Sequence, residues 1–122
     1  MSGLVVFSPQ VRRLANFYAA VLGAQQTLEE SGDIRLTNDL DEVLIHTVPK
    51  SVADRIVLSV PPSPRKSSSL KPIFDVTSLE LALGAVRAHG GVVTDNTFSF
   101  AGMTRHDVLD PDGNIIQLRS KN

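Results

Sequence analysis

The chain has 122 residues, with 12 Lys and Arg against 13 Asp and Glu, a formal net charge of -1 and no cysteine. That length suits one ordinary domain, which buries roughly two thirds of its surface on folding. The near-neutral charge, with no basic stripe, argues against a nucleic-acid partner or a charged membrane surface. The lack of cysteine excludes disulfides, thiolate zinc sites, iron–sulfur clusters and a Cys nucleophile.

No run of about 18 apolar residues exists, so no membrane span is expected. The N-terminal stretch has no charged n-region and too short an apolar run for a signal peptide. A cytoplasmic location is the default expectation.

Leu4 to Ser8 is a short apolar run closed by Pro9, which suits a buried strand. Val11, Leu14, Phe17, Tyr18, Val21 and Leu22 then recur at helical spacing, with Ser8 or Pro9 opening the helix and Gly23 capping it. Gln25 to Glu29 and Asp33 to Thr37 read as strands around a Ser31-Gly32 turn, and Asn38 to Asp41 as a second turn. Glu42 to Val48 is a strand with Val43, Ile45 and Thr47 on one face and Leu44, His46 and Val48 on the other. Lys50 to Asp54 suits a helical turn, and Ile56 to Val60 is strand-like. Pro61 to Ser69 is Pro- and Ser-rich, with Arg65 and Lys66 adding positive charge. It has nothing to bury, so it reads as a linker or as a flap over a pocket.

Lys71 to Val76 reads as a strand, and Ser78 to His89 as a helix with Leu79, Leu81, Ala82, Leu83, Val86 and Ala88 on its apolar face. Thr77 or Ser78 can cap that helix, and Gly90-Gly91 stops it. Four further strands are expected at Val92 to Thr94, Phe98 to Ala101, Arg105 to Leu109 and Ile115 to Arg119. Arg105, His106 and Asp107 read as a polar surface cluster before a hairpin turn, Asp110-Pro111-Asp112-Gly113-Asn114. In that turn Pro fixes φ, Asp and Asn bond the local backbone, and Gly takes a positive φ. Gln117, polar among isoleucines on a half-buried strand, is the oddest placement in the chain.

The two halves repeat one order of strand, helix, Gly and about three strands. Sliding the sequence onto itself sets Phe7 on Phe74, Leu14 on Leu81, Val21 on Ala88 and Gly23 on Gly90. The expected fold is therefore α+β: two βαβββ modules forming curled mixed sheets around a concave cleft, one helix backing each. Residues 1–60 form the first module, 61–69 the linker and 70–122 the second, together one domain. Strand parity proposes a cleft wall of Val5, Phe7, Leu44 or His46, Lys71, Ile73, Asp75, Ile115, Gln117 and Arg119. This is an apolar pocket with a few polar groups, the profile of a small-molecule site. Lys71 and Arg119 favour an anionic or carbonyl-rich ligand. No Ser-His-Asp spacing, phosphate-cradling loop or paired carboxylates can be made out.

The helix motif Leu14 to Gly23 ending in Phe17-Tyr18 and Leu22-Gly23, the second strand–helix–Gly-Gly, and Asp110 to Leu118 resemble the vicinal oxygen chelate superfamily. Its members include glyoxalase I, extradiol dioxygenases, fosfomycin-resistance proteins and bleomycin-binding proteins, so the resemblance implies a fold and no single reaction. Metal-dependent members hold a divalent ion with four side chains from the cleft. The matching positions here are Gly3, Ile45 or His46, Lys71 and Gln117. A glycine, an imidazole, an ammonium and an amide make a poor divalent site, so no metal or other cofactor is expected.

Three functions follow from the resemblance. The first is a metal-independent small-molecule binder of the bleomycin-resistance type, using Phe7, His46, Lys71, Ile73, Gln117 and Arg119. The second is a glyoxalase-like lyase or isomerase, or a dioxygenase-type enzyme with a divergent or metal-free site. His46 is its best catalytic candidate because imidazole titrates near neutrality. The third is a dimeric regulatory or interaction module with a closed cleft. A homodimer is expected under all three, because exposed sheet edges invite pairing.

Overall fold

The computed structural model describes residues 2–65 and 69–122. Lys66 and its two serine neighbours, part of the expected linker, lie outside the described residues.

The elements are β1 (Ser2–Ser8), α1 (Val11–Leu22), β2 (Gln25–Leu28), β3 (Ile34–Thr37), β4 (Asp41–Thr47), α2 (Lys50–Ala53), β5 (Ile73–Asp75), α3 (Leu79–Ala88), β6 (Val92–Phe100), β7 (Met103–Leu109) and β8 (Ile115–Lys121). They build two four-stranded sheets of the same topology, β1-β4-β3-β2 and β5-β8-β7-β6. In each, the first strand runs parallel to the last and the remaining pairs are antiparallel. These are the two βαβββ modules that the internal repeat predicts.

Helix α1 forms because its apolar residues recur on one side. It buries Leu14, Ala15, Phe17, Tyr18 and Val21. It ends where Gly23 adopts a left-handed backbone with φ 62° and returns its N–H to Ala19. Its start is weaker. Gln10 is the N-cap and makes no side-chain cap bond, while Ser8 Oγ accepts from the Gln10 N–H at 3.0 Å. Helix α3 is capped by Ser78, whose Oγ accepts from the Leu81 N–H at 3.2 Å.

One apolar core joins the modules. Leu14, Phe17 and Tyr18 cluster with Val43 and Ile45 of the first sheet and with Phe74, Val108, Ile116 and Leu118 of the second. Odd residues of β8 and even residues of β4 then point to the opposite face, away from the helices.

Several expectations are corrected. Residues 56–60 are not a strand. Among the described residues they pair with no strand, and Val57 is 94% exposed, so a β-prone sequence without a ladder stays irregular. The two strands expected within residues 92–101 are one strand, β6, bent by an irregularity between Val93 and Thr97. Only the three residues Ile73–Asp75 of the expected Lys71 to Val76 strand pair, so Lys71 precedes the ladder. Leu81 does not belong to the buried face of α3 and is 76% exposed. The first residues of the linker do not swing free: Arg65 N donates to Gly113 O at 3.1 Å and Arg65 Nε to Asp112 O at 2.9 Å.

Candidate functional site

The alternation of each strand sends one set of side chains into the core and the other to the face away from the helices. On the second sheet that outer set is Ile73 and Asp75 of β5, Ile115, Gln117 and Arg119 of β8, and Arg105, Asp107 and Leu109 of β7. β6 adds Phe98, opposite Arg105, and Phe100, opposite Met103.

The centre of this face is Asp107, only 5% exposed. Its Oδ2 accepts from Lys71 Nζ at 2.9 Å and from Asn96 Nδ2 at 2.8 Å. Its Oδ1 accepts from Gln117 Nε2 at 3.2 Å. Burial works to raise the Asp107 carboxyl, but the hydrogen bonds from Lys71, Gln117 and Asn96, with the Lys71 charge, outweigh it and hold the group below the ordinary carboxylate value. Asp107 is therefore a fixed anion. Gln117 Oε1 accepts from Arg105 Nη1 at 3.1 Å, which extends the network by one more member. Arg119 lies at the edge and forks onto Asp75, Nε to Oδ1 at 2.5 Å and Nη2 to Oδ2 at 3.3 Å.

The first sheet is built differently. Phe7 and His46 are paired across β1 and β4, with ring centroids 5.0 Å apart. His46 Nε2 points at Asp33 Oδ2, 3.7 Å away, and Nδ1 sits against the Thr47 carbonyl. Asp33 is buried and held in place by the Thr47 N–H at 2.8 Å. Nδ1 of His46 is engaged with its own module, while Nε2 faces Asp33 beyond hydrogen-bond distance.

The six residues singled out in the sequence thus form two groups. Lys71, Ile73, Gln117 and Arg119 lie on the second module, where Lys71 and Gln117 meet at Asp107 and Ile73 is the register partner of Gln117. Phe7 and His46 lie on the first. The seam between the sheets divides them further: Phe7 and Ile115 line a cavity of about 290 Å³, and Lys71 and Ile73 line another of about 330 Å³. A larger hollow of about 530 Å³ lies on the helix side, between the ends of α1 and α3, and contains none of the six. Its lining brings together no polar network like that at Asp107, so the chemistry is sought on the sheet face.

The sequence reading missed Asp107, Asn96 and Arg105. It placed Arg105, His106 and Asp107 together on the surface. The structure sends His106 to the Thr94 carbonyl at 2.6 Å and Asp107 to the opposite face, as strand parity requires. The available signal was that parity: Asp107 shares a face with Gln117 once the turn fixes the hairpin register. Asn96 could not be found that way, because the β6 irregularity resets the alternation.

The four positions matching the superfamily's metal ligands can be tested on their surroundings. Gly3 offers no side chain. His46 has Nδ1 against the Thr47 carbonyl and lies on the other module from Lys71 and Gln117. Lys71 is a cation bonded to Asp107, and Gln117 Oε1 already accepts from a guanidinium. A divalent ion at this place would face an ammonium and a guanidinium, and the donor set does not suit it.

Comparison with protein-family models gives no match, and comparison with curated proteins gives none either. Solved structures do match. A glyoxalase/bleomycin resistance protein from Albidiferax ferrireducens superposes with a TM-score of 0.72 at 19% identity, covering 100% of this chain and 98% of that one. A glyoxalase/bleomycin resistance protein/dioxygenase family enzyme from Burkholderia phytofirmans gives 0.72 at 14% identity, covering 98% and 97%. The fosfomycin resistance protein FosX from Mesorhizobium loti gives 0.68 at 11% identity, covering 100% and 92%. The chain shares its fold with these glyoxalase/bleomycin resistance and fosfomycin resistance proteins. At these identities the likeness carries the architecture and no activity. Among the described residues, no helix is long and apolar enough to cross a membrane.

Proposed function

We propose that this chain binds a small molecule on the face of its sheets away from the helices, without a catalytic metal and without turnover. One observation carries the reading. Two of the four positions that match the metal ligands, Lys71 and Gln117, are tied instead, with Asn96 and Arg105, into a hydrogen-bonded network around a buried Asp107. Such a network is a rigid polar floor. Beside it stands Ile73, 47% exposed, and along the seam between the sheets Val5 and Phe7 are left open to solvent at 49% and 61%. Exposed apolar groups around a few convergent polar ones are the usual make-up of a ligand site.

The alternative is an enzyme of the glyoxalase type working through His46. Asp33 beside the ring favours it, since a carboxylate that orients an imidazole is a common catalytic device. The contact of Nδ1 with the Thr47 carbonyl, which leaves Nε2 as the one nitrogen without a hydrogen bond, argues against it. Two copies are expected to pair, a reading supported by the exposed edge strand β2.

The test is elemental analysis of the purified protein, followed by a thermal-shift screen of small metabolites and divalent metals on wild type and His46→Ala. The reading predicts no stoichiometric metal, no stabilisation by Ni, Zn, Mn or Fe, and at least one stabilising metabolite whose effect survives His46→Ala. Bound metal, or metal-dependent lyase or dioxygenase activity, would sink it.

A further inference from the structure

The charges on the outer face of the second sheet are unevenly matched. Asp75 is taken by Arg119 and Asp107 by Lys71. Arg105 has no carboxylate within 4.0 Å among the described residues and donates only to the neutral amide oxygen of Gln117. Its Nε is shut away from solvent and has no acceptor among the described residues. A partly buried guanidinium without a counter-ion is costly, and the cost falls when an anion arrives. The same guanidinium stands 5.7 Å from the centre of the Phe100 ring. Phe98 and Phe100 alternate along β6, so they share the face of Arg105, and they are 43% and 66% exposed.

We infer that Arg105, Phe98 and Phe100 form an anion subsite that takes a planar aromatic carboxylate. The carboxylate pairs with the guanidinium in a charge-assisted contact, and the ring lies against the two phenylalanines. This inference rests on the reading of the sheet face as a small-molecule site and names the ligand class of that site. The second sheet alone supplies the three side chains. The Gln117 amide holds the guanidinium toward the ligand, and the Asp107 network holds the amide.

The experiment is a ligand titration followed by two-dimensional ¹H–¹⁵N NMR, with benzoate and its uncharged counterpart benzamide as probes. It uses wild type, Arg105→Gln, Arg105→Lys and Phe100→Ala. Benzoate is expected to shift amides of β6 and β7 and to bind at least about tenfold more tightly than benzamide, the difference made by one charge-assisted contact. Arg105→Gln should lose about that factor, Arg105→Lys part of it because an ammonium cannot fork, and Phe100→Ala should weaken both probes. Equal binding of benzoate and benzamide, or shifts confined to the seam around Phe7 and Ile115, would overturn the ligand class while leaving a small-molecule site in place. No response to either probe in any variant, together with an empty metabolite screen, would overturn both readings. A change of oligomeric state in Arg105→Gln would assign the guanidinium to a contact between copies and overturn the inference in another way.

Discussion

The two modules share a topology, yet one of their helices is buried far more deeply than the other. Leu14 and Leu81 occupy matching places in the repeat, and Leu14 is fully buried while Leu81 is 76% exposed. Helix α1 buries five side chains, α3 only Ala82 and Val86. The β3–β4 and β7–β8 turns, equivalent in the two modules, repeat the contrast. In the first, Asn38 Oδ1 accepts from the N–H groups of Leu40 and Asp41 at 2.9 and 2.7 Å, and its Nδ2 donates to the Leu22 carbonyl at the end of α1. In the second, Asp110 Oδ1 accepts from the N–H groups of Asp112 and Asn114, both at 2.9 Å, and its Oδ2 accepts from Tyr18 Oη at 2.7 Å. Both turns use a side-chain oxygen to hold the backbone, and both reach back to α1. One helix is thus clasped from two modules. Duplicated topology does not duplicate burial, because two modules that share one core cannot both place their helix at its centre.

The comparison breaks most visibly at the leucines. Leu14→Ala should destabilise by about 2–5 kcal/mol, the cost of a core cavity, and Leu81→Ala by no more than about 0.5 kcal/mol. Urea unfolding of the two variants measures this, and equal losses would mean that the helices are equivalent after all. The turns come next. Asp110→Ala strips acceptors from Tyr18, Asn114 and two backbone N–H groups, at about 1–3 kcal/mol for a buried group left unsatisfied. Asn38→Ala, at a more exposed turn, should cost less, about 1 kcal/mol.

Gly113 sharpens the same contrast. Its φ is 85°, and an added Cβ would lie 2.2 Å from the Ser63 carbonyl oxygen, backbone that cannot step aside. Gly102, at φ 74°, has nothing within 4 Å of such an atom. Both alanine variants carry about 1–2 kcal/mol of left-handed strain, and Gly113→Ala should melt lower because it also prises the 61–65 segment from the turn.

The smallest effect is a matter of pH. Asp107 has a folded value below the ordinary 3.8, so its contribution is present above that value and is lost as pH falls through the folded one. Asp110 has the opposite sign. Burial raises it against the hydrogen bonds from Tyr18 and Asn114, so its contribution is largest in acid and weakens as pH rises above 3.8. Asp107→Asn should therefore lose less stability than wild type between pH 5 and about pH 3, read as a difference in urea midpoints. A steeper loss in the variant would show that Asp107 is not held as a fixed anion.

Much of this was legible in residue order. Periodicity and Gly23 set α1, Ser78 set the start of α3, and Asp110 to Asn114 set the last hairpin. Local chemistry is written locally, and the repeat supplied the topology. Residues 56–60 misled because β-propensity cannot tell whether a partner strand is present. Lys71 and Gln117 were found by parity, but the carboxylate joining them was read as surface, since a run of Arg, His and Asp looks solvated until a neighbouring strand covers one face.

The sequence by itself determined two βαβββ units, their turns and the polar character of position 117, because these depend on backbone preference and alternation within a few residues. Long-range packing set the rest: α1 is buried more deeply than α3, Asp107 is the hub, and Arg105 has no carboxylate partner among the described residues. Those outcomes depend on which distant strands share a register and a face, and the energy of a buried charge is set by neighbours far away in the chain.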